Sequence, residues 1–225
     1  GYFHDPDALI GALQTIRHAR GIYMTLQPCQ PALLARARNR LRSAQEMKSE
    51  KATTADTQIL GYRWLPLDLD PDRPSGISST NQEHEAALAL AQTIHQALRA
   101  EGWPEPIRGD SGNGAHLLYP IAMANTPEST ERIRCVLQGL AARFPFSGVS
   151  LDLTVGNPAR IWKLYGTLAC KGDHTTDRPH RRARLIETPV RSRVVSLEQL
   201  NAVAIQITEA TQSRAHYPSR PAPRG

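Results

Sequence analysis

Residues Leu65-Pro66-Leu67-Asp68-Leu69-Asp70-Pro71-Asp72-Arg73-Pro74 constrain this chain more than any other stretch. An apolar run carries two carboxylates two residues apart and then meets proline. In an extended strand successive side chains point to opposite faces, so Asp68 and Asp70 share one face. Leu67 and Leu69 share the other, which can be buried. The rise of a strand sets the two carboxylates roughly 6–7 Å apart. Oxygen ligands so placed suit Mg²⁺ or Mn²⁺, and a pair of such ions can be clamped between them. The plainer reading is a turn at a strand end, because Asp and Pro both favour turns.

Around that strand the pattern alternates between helix and strand. Asp5-Pro6 reads as an N-cap with proline at the first helical position, and Leu9, Ile10, Leu13 and Ile16 follow at helical spacing up to Gly21. Residues 22–26 read as a strand, and a second helix is expected from Pro31 to about Gln45. Its arginines, Arg36, Arg38, Arg40 and Arg42, spread around the helix, which reads as a solvated face. Lys48 to Asp56 reads as a loop. Thr80 with Glu83 forms a capping box that opens a helix to about Ala100, with His84 and His95 placed at its surface or boundary. Gly102 and Pro104 close it. Short strands are expected at 107–109 and 117–120, and Thr126-Pro127 opens a further helix. Residues 149–155, 160–165 and 182–187 read as extended, and Ser196 with Gln199 caps a last helix to about Glu209. Strands mixed irregularly with helices argue for an α+β (mixed α/β) domain.

Size and charge narrow the class. A chain of 225 residues fits one domain, here 1–212, with a mostly N-terminal α/β unit at 1–60 and a catalytic part at 60–212. Residues 213–225 are polar and proline-rich and read as a tail or linker. No apolar run approaches the ~20 residues needed to cross a bilayer, and no signal peptide is visible. Cys29, Cys135 and Cys170 lie far apart, which excludes a Cys-x-x-Cys zinc site or an even disulfide framework. A reducing, cytoplasmic setting is the expectation. The formal net charge of +6 favours a polyanionic partner, nucleic acid first.

Two further stretches belong with the acidic strand. Ser111-Gly112-Asn113-Gly114-Ala115-His116 is a small-residue turn whose amides could cradle phosphate oxygens, with His116 at the start of the next strand. Leu151-Asp152-Leu153 places a third carboxylate on an apolar strand, where it is costly to bury unless paired or metal-bound. Beyond it lie Arg160, Lys163, Lys171 and the run Arg178-Pro179-His180-Arg181-Arg182. Strand parity separates Arg160 from Lys163, so a bulge or bend is needed for both to face one ligand. Carboxylates hold divalent metals, metals bridge phosphates, and Arg and Lys neutralise the remaining charge.

In these motifs the sequence resembles the catalytic domain of the archaeo-eukaryotic primase superfamily, the primase-polymerases of mobile elements, phages and CRISPR-linked operons. Leu67-Asp68-Leu69-Asp70 matches its hydrophobe-Asp-hydrophobe-Asp motif, with Pro71 ending it. Gly114-Ala115-His116, preceded by Ser111-Gly112, matches its small-x-His motif, with Gly in place of Ser. Leu151-Asp152 matches its hydrophobe-Asp motif, and the segment from Arg160 to Gly172 is similar to the stretch C-terminal to that motif in mobile-element members. The matches run from about Tyr62 to Arg184. The resemblance implies an RRM-like antiparallel sheet joined to an N-terminal α/β unit, with the active site in the cleft between them. It implies that Asp68, Asp70 and Asp152 bind two divalent ions, Mg²⁺ or Mn²⁺. Ser111, Gly112, His116, Arg160, Lys163 and Lys171 would serve the nucleotide.

The implied activity is template-directed nucleotidyl transfer, a DNA primase-polymerase using nucleoside triphosphates (NTP or dNTP) on single-stranded DNA. A bulky residue such as Tyr165 is a candidate for sensing the sugar. The tail is a candidate link to a helicase, a nuclease or CRISPR adaptation proteins, and no membrane is involved. A non-catalytic or nicking replication initiator is the rival reading. Nicking versions need a His-hydrophobe-His metal site, and the sequence contains no His-x-His. A nucleotide-sugar transferase using Asp-x-Asp would leave the basic surface unexplained.

Overall fold

The computed structural model describes residues 1–43, 53–190 and 193–204. Its strands, in chain order, are β1 (Tyr23–Thr25), β2 (Gly61–Pro71), β3 (Ile107–Asp110), β4 (Ala115–Ala124), β5 (Val149–Leu151), β6 (Ile161–Lys163), β7 (Leu168–Ala169), β8 (Arg181–Arg182) and β9 (Arg184–Glu187). The helices are α1 (Pro6–Gln14), α2 (Asn81–Ala100) and α3 (Pro127–Arg143), with α4 at residues 197–204. A five-stranded sheet has the order β5-β2-β4-β3-β9, and every pairing in it is antiparallel. Within it β2-α2-β3-β4-α3-β5 is the split β-α-β arrangement of RRM-like and ferredoxin-like domains. The fold is therefore α+β, as the alternation of patterns indicated.

Hydrophobic burial fixes which way β2 faces. Leu65, Leu67 and Leu69 are fully buried and pack with Ala87, Ile94 and Leu98 of α2 and Val136, Leu137 and Leu140 of α3. Each buried leucine contributes about 1.5–3 kcal/mol relative to exposure. A one-residue slip in register would send all three to the other face, so the core also fixes Asp68 and Asp70 on the helix-free face. Pro66 is tolerated in β2 because β5 pairs only with residues 69–71, which leaves Pro66 with a single neighbouring strand. Gln27 ties the N-terminal segment to the same strand. Its side-chain amide donates to Trp64 O at 2.8 Å and accepts from Arg63 N at 2.8 Å.

A second layer covers the aspartate face. β1 pairs with β6, Tyr23 opposite Lys163 and Thr25 opposite Ile161. The N-terminal segment and the segment after β5 thus build one wall of a cleft.

Several expectations need correction. The helix expected at 31–45 is only a 3₁₀ turn, Pro31–Arg36. Tyr2 makes β-bridges to Arg38 and Arg40, and Asn39 sits at φ 50°, so tertiary pairing overrides helical propensity there. α1 ends at Gln14, well before Gly21. Residues 149–155 are not one extended run: β5 stops at Leu151, and a 3₁₀ turn, Leu153–Gly156, comes next with Asp152 as its N-cap. His84 and His95 are buried. His84 Nε2 pairs with Asp110 Oδ1 at 2.8 Å and His95 Nε2 with Glu105 Oε2 at 2.6 Å. The part of the expected loop at 48–52 and the expected tail at 213–225 lie outside the described residues. Among the described residues no helix is long and apolar enough to cross a membrane.

Candidate active site

Strand register brings the sequence motifs together. Asp68 of β2 lies opposite His116 of β4, and Gly109 of β3 lies opposite His116 on its other side. On the β5 side Leu69 pairs with Leu151, and Asp152 N donates to Asp68 O at 2.8 Å. Directly paired residues project to the same face of a sheet. Gly109, His116 and Asp68 therefore form one row across β3, β4 and β2, Asp152 continues it as the residue after β5, and Asp70 lies one pleat along on the same face. Asp68, Asp70 and Asp152 all line a single cleft of about 310 Å³. Ser111, His116, Arg160, Lys163 and Lys171 line it too, as do Arg20, Tyr23, Asn113 and Trp162. Gly112 does not.

The carboxylates differ in their surroundings. Burial, then the charge on Asp68, push the Asp70 carboxyl above its ordinary range, while Arg73 and Lys171 oppose the rise. The Arg73 guanidinium reaches Asp70 Oδ1 only at 3.4 Å, and its closer bonds go to Pro71 O and Ile77 O, both at 3.1 Å. Asp152 Oδ1 accepts from Thr154 N at 2.7 Å, which caps the 3₁₀ turn. Among the described residues no three His, Cys, Asp or Glu side chains converge closely enough to hold a metal ion. The donor set still suits a divalent cation at Asp68 and Asp70. Asp70 is raised by burial first and by repulsion from Asp68 second, and a bound cation would relieve both.

His116 is 3% exposed and held on three sides. Its ring packs on Trp162 with centroids 4.1 Å apart. Trp162 Nε1 donates to Tyr165 Oη at 3.2 Å, and Tyr165 Oη lies 2.9 Å from His116 Nδ1. Indole can only donate, so the phenol's own hydrogen is available to Nδ1. In the neutral ring Nδ1 then accepts and Nε2 carries the hydrogen. Nε2 lies 3.4 Å from Asp68 Oδ1. Tyr165 is not among the residues that line the cleft. Its ring lies over Gly109, where an added Cβ would come within 2.4 Å of Tyr165 Oη, and its hydroxyl holds His116.

The glycine-rich turn also works differently from the expected phosphate cradle. Ser111 N donates to Gly114 O, Gly112 N to Asp110 Oδ1, and both Asn113 N and Gly114 N to Ser111 Oγ. All four amides are satisfied inside the turn, so the motif builds shape. Gly112, at φ +89°, packs where a Cβ would lie 2.9 Å from both Ala169 Cβ and Arg181 O. Gly114 has the tightest fit: a Cβ would lie 2.2 Å from Leu69 O and 3.1 Å from Asp70 Oδ1. Buried Asp110 anchors the turn, with His84 and the Gly112 amide holding its carboxyl below the usual range against the opposing effect of burial.

The cations come from the second layer. Lys163 is 6% exposed, its Nζ donates to Leu168 O at 2.7 Å, and it lies 5.3 Å above the Tyr23 ring. Burial lowers its pKa. Arg160 is tethered by Nη2 to Thr154 O and Thr154 Oγ1. It shares the cleft with Lys163 despite their opposite parity, because β6 begins only at Ile161. Tyr23 is pushed up by burial and by the charges of Asp68 and Asp70, which puts its phenol within their field. Arg20, Tyr23, Arg73 and Trp162 escaped sequence reasoning as site residues. The pairing of β1 with β6 that delivers Arg20 and Tyr23 is non-local, whereas Arg73, three residues from Asp70, was within reach of the spacing.

No protein-family model matches the chain, and no curated protein sequence matches it. Among solved structures the chain is similar to a crystal structure of primase RepB', with a TM-score of 0.39 and 14% identity over 68% of this chain and 43% of that one. The chain thus spans less than half the length of that solved chain.

Proposed function

We propose that this chain is the catalytic domain of a primase-polymerase of the archaeo-eukaryotic type, which joins nucleotides on a single-stranded DNA template. The observation that carries the reading is the row His116–Asp68–Asp152, with Asp70 beside it, facing Arg20, Arg160, Lys163 and Lys171 across one cleft. Acid on one wall and base on the other suits a triphosphate bound through divalent cations.

Asp68 and Asp70 would hold a divalent cation, Mg²⁺ or Mn²⁺, with Asp152 the third candidate ligand once its carboxylate leaves Thr154 N. Bound ions would supply Lewis-acid stabilisation of the triphosphate and lower the pKa of the attacking 3′-hydroxyl. The protein's own groups supply position and charge. His116 offers Nε2–H to a phosphate oxygen, and Tyr165 with Trp162 prevents the ring from turning. Lys163 presents a cation held on Leu168 O, with no carboxylate partner among the described residues. A phosphate there would restore what burial removes from its charge. Arg160 and Lys171 neutralise negative charge developing on the leaving pyrophosphate.

The test is a gel assay of product on single-stranded DNA with nucleoside triphosphates and Mg²⁺ or Mn²⁺. Wild-type protein should make and extend primers. Asp68→Ala and Asp70→Ala should abolish synthesis while the circular dichroism spectrum stays native. Full extension by either purified variant would reject the assignment of the acidic pair.

A further inference from the structure

A second cavity, of about 530 Å³, lies behind Tyr165. Its floor is apolar, built from Ile10 and Leu13 of α1 with Ile16, Ile22 and Leu168, and its rim carries Arg17 and Arg182. The size is that of small-ligand pockets, ~300–1,000 Å³. No residue of α1 is buried, Ile10 is 53% exposed and Leu168 42%. The helix thus turns leucine and isoleucine toward a space that the described chain does not fill. Two guanidiniums beside an apolar floor call for a flat, weakly polar body carrying negative charge. Arg182 donates to Gly166 O, which also lines the cavity.

We propose that this cavity receives one unstacked nucleotide of the single-stranded template, its base against Ile10 and Leu13 and its phosphate between Arg17 and Arg182. The proposal rests on the nucleotidyl-transfer reading above. Two observations select this occupant. The rim is cationic on a chain of net charge +6. Tyr165 also lines this cavity, and its hydroxyl holds His116, which lines the first cleft, so one bonded pair of side chains links the two spaces. Apolar and aromatic surfaces accept any base by its face, so the site would carry little sequence preference.

The test is fluorescence anisotropy with a labelled oligothymidine across a salt series. Arg17→Glu should weaken binding roughly tenfold and reduce the slope of log affinity against log salt by about 0.7, the value of one single-strand phosphate contact. The double variant Ile10→Gln/Leu13→Gln should weaken binding roughly tenfold on an ordinary strand, a typical loss for one stacked base, and leave binding to an abasic strand unchanged. Phe146→Gln removes an exposed apolar side chain outside both cavities and should change nothing. Thermal melts confirm that each variant folds.

Affinities within twofold of wild type for Arg17→Glu and the double variant overturn the proposal, as does an equal loss on the abasic strand. A two-chain mass that falls to one in the double variant makes a second copy the occupant and also overturns it. Wild-type protein that copies template while these variants bind normally rejects this cavity alone. Wild-type protein that neither binds the strand nor copies it rejects the nucleotidyl-transfer reading as well.

Discussion

Replacing Gly114 by alanine tests how the acidic pair is held. Gly114 precedes β4 and abuts the end of β2, where a methyl group would lie 2.2 Å from Leu69 O and 3.1 Å from Asp70 Oδ1. Its φ is not positive, so the requirement is space and not backbone freedom. A carbon needs about 1 Å more from a carbonyl oxygen than is available, and the oxygen is strand backbone that cannot rotate away. β2 must shift by about that distance, at a cost typical of overpacking, ~1–3 kcal/mol. For a chain of this size that is a fall in Tm of roughly 2–12 °C. Because Asp70 moves with Leu69, activity should fall further than stability, by about a hundredfold for a 1 Å misplacement. Thermal melts followed by circular dichroism give the first number, and primer extension at a temperature well below both melting points gives the second. Gly11→Ala is the control: a methyl group there meets nothing within 4 Å, and an exposed helix interior should gain ~0.5–1 kcal/mol. Wild-type Tm and wild-type extension in Gly114→Ala would refute the packing argument.

Three further outcomes rest on the same geometry. The Asp70 carboxyl is raised in the folded state, so its stability contribution is complete below the ordinary carboxylate range and is lost as pH rises through the raised value. Asp70→Asn should therefore be more stable than wild type at pH 7, by about 1 kcal/mol as for relief of a functional site, with the difference shrinking in acid; an equal or lower Tm at pH 7 contradicts a net cost of the Asp70 charge from burial and from Asp68. Tyr165→Phe leaves the Trp162 indole N–H and His116 Nδ1 unpaired and should cost ~1–3 kcal/mol in urea denaturation. In the ¹⁵N spectrum the same change should release His116 from its Nε2–H tautomer, and an unaltered tautomer would show that Tyr165 does not set it. Leu67→Ala, at a fully buried position under α2 and α3, should cost ~2–5 kcal/mol, and a cost under 1 kcal/mol in the same denaturation series would argue against the assigned face of β2.

Much of the site was legible along β2 because strand alternation is local. Asp68 and Asp70 against Leu67 and Leu69 needed only a period of two. Likewise Thr80 with Glu83 and Asp5 with Pro6 announced the starts of α2 and α1, because capping uses neighbours three residues apart or fewer. Less legible was anything set by distant pairing. That His116, Asp68 and Asp152 form one row depends on the registers of β4 and β5 against β2, which no local pattern encodes. The arginine-rich segment after Pro31 has helical propensity, yet bridges from Tyr2 hold Arg38 and Arg40 extended. Small residues at 111–114 suggested a phosphate cradle, while Ser111 Oγ and Asp110 take up the amides instead. His84 looked like a surface residue because its partner, Asp110, lies 26 positions away.

The proposed function requires Asp68 and Asp70, with Asp152 beside Asp68, to grip divalent cations for nucleotide joining. Titration of Mn²⁺ into the protein with a nucleoside triphosphate, read from the paramagnetic resonance of the free ion, measures this directly. Wild-type protein should bind two ions per chain, and Asp68→Asn and Asp70→Asn should bind them more weakly by roughly tenfold or more. Identical Mn²⁺ binding curves for the wild type and both variants would contradict it.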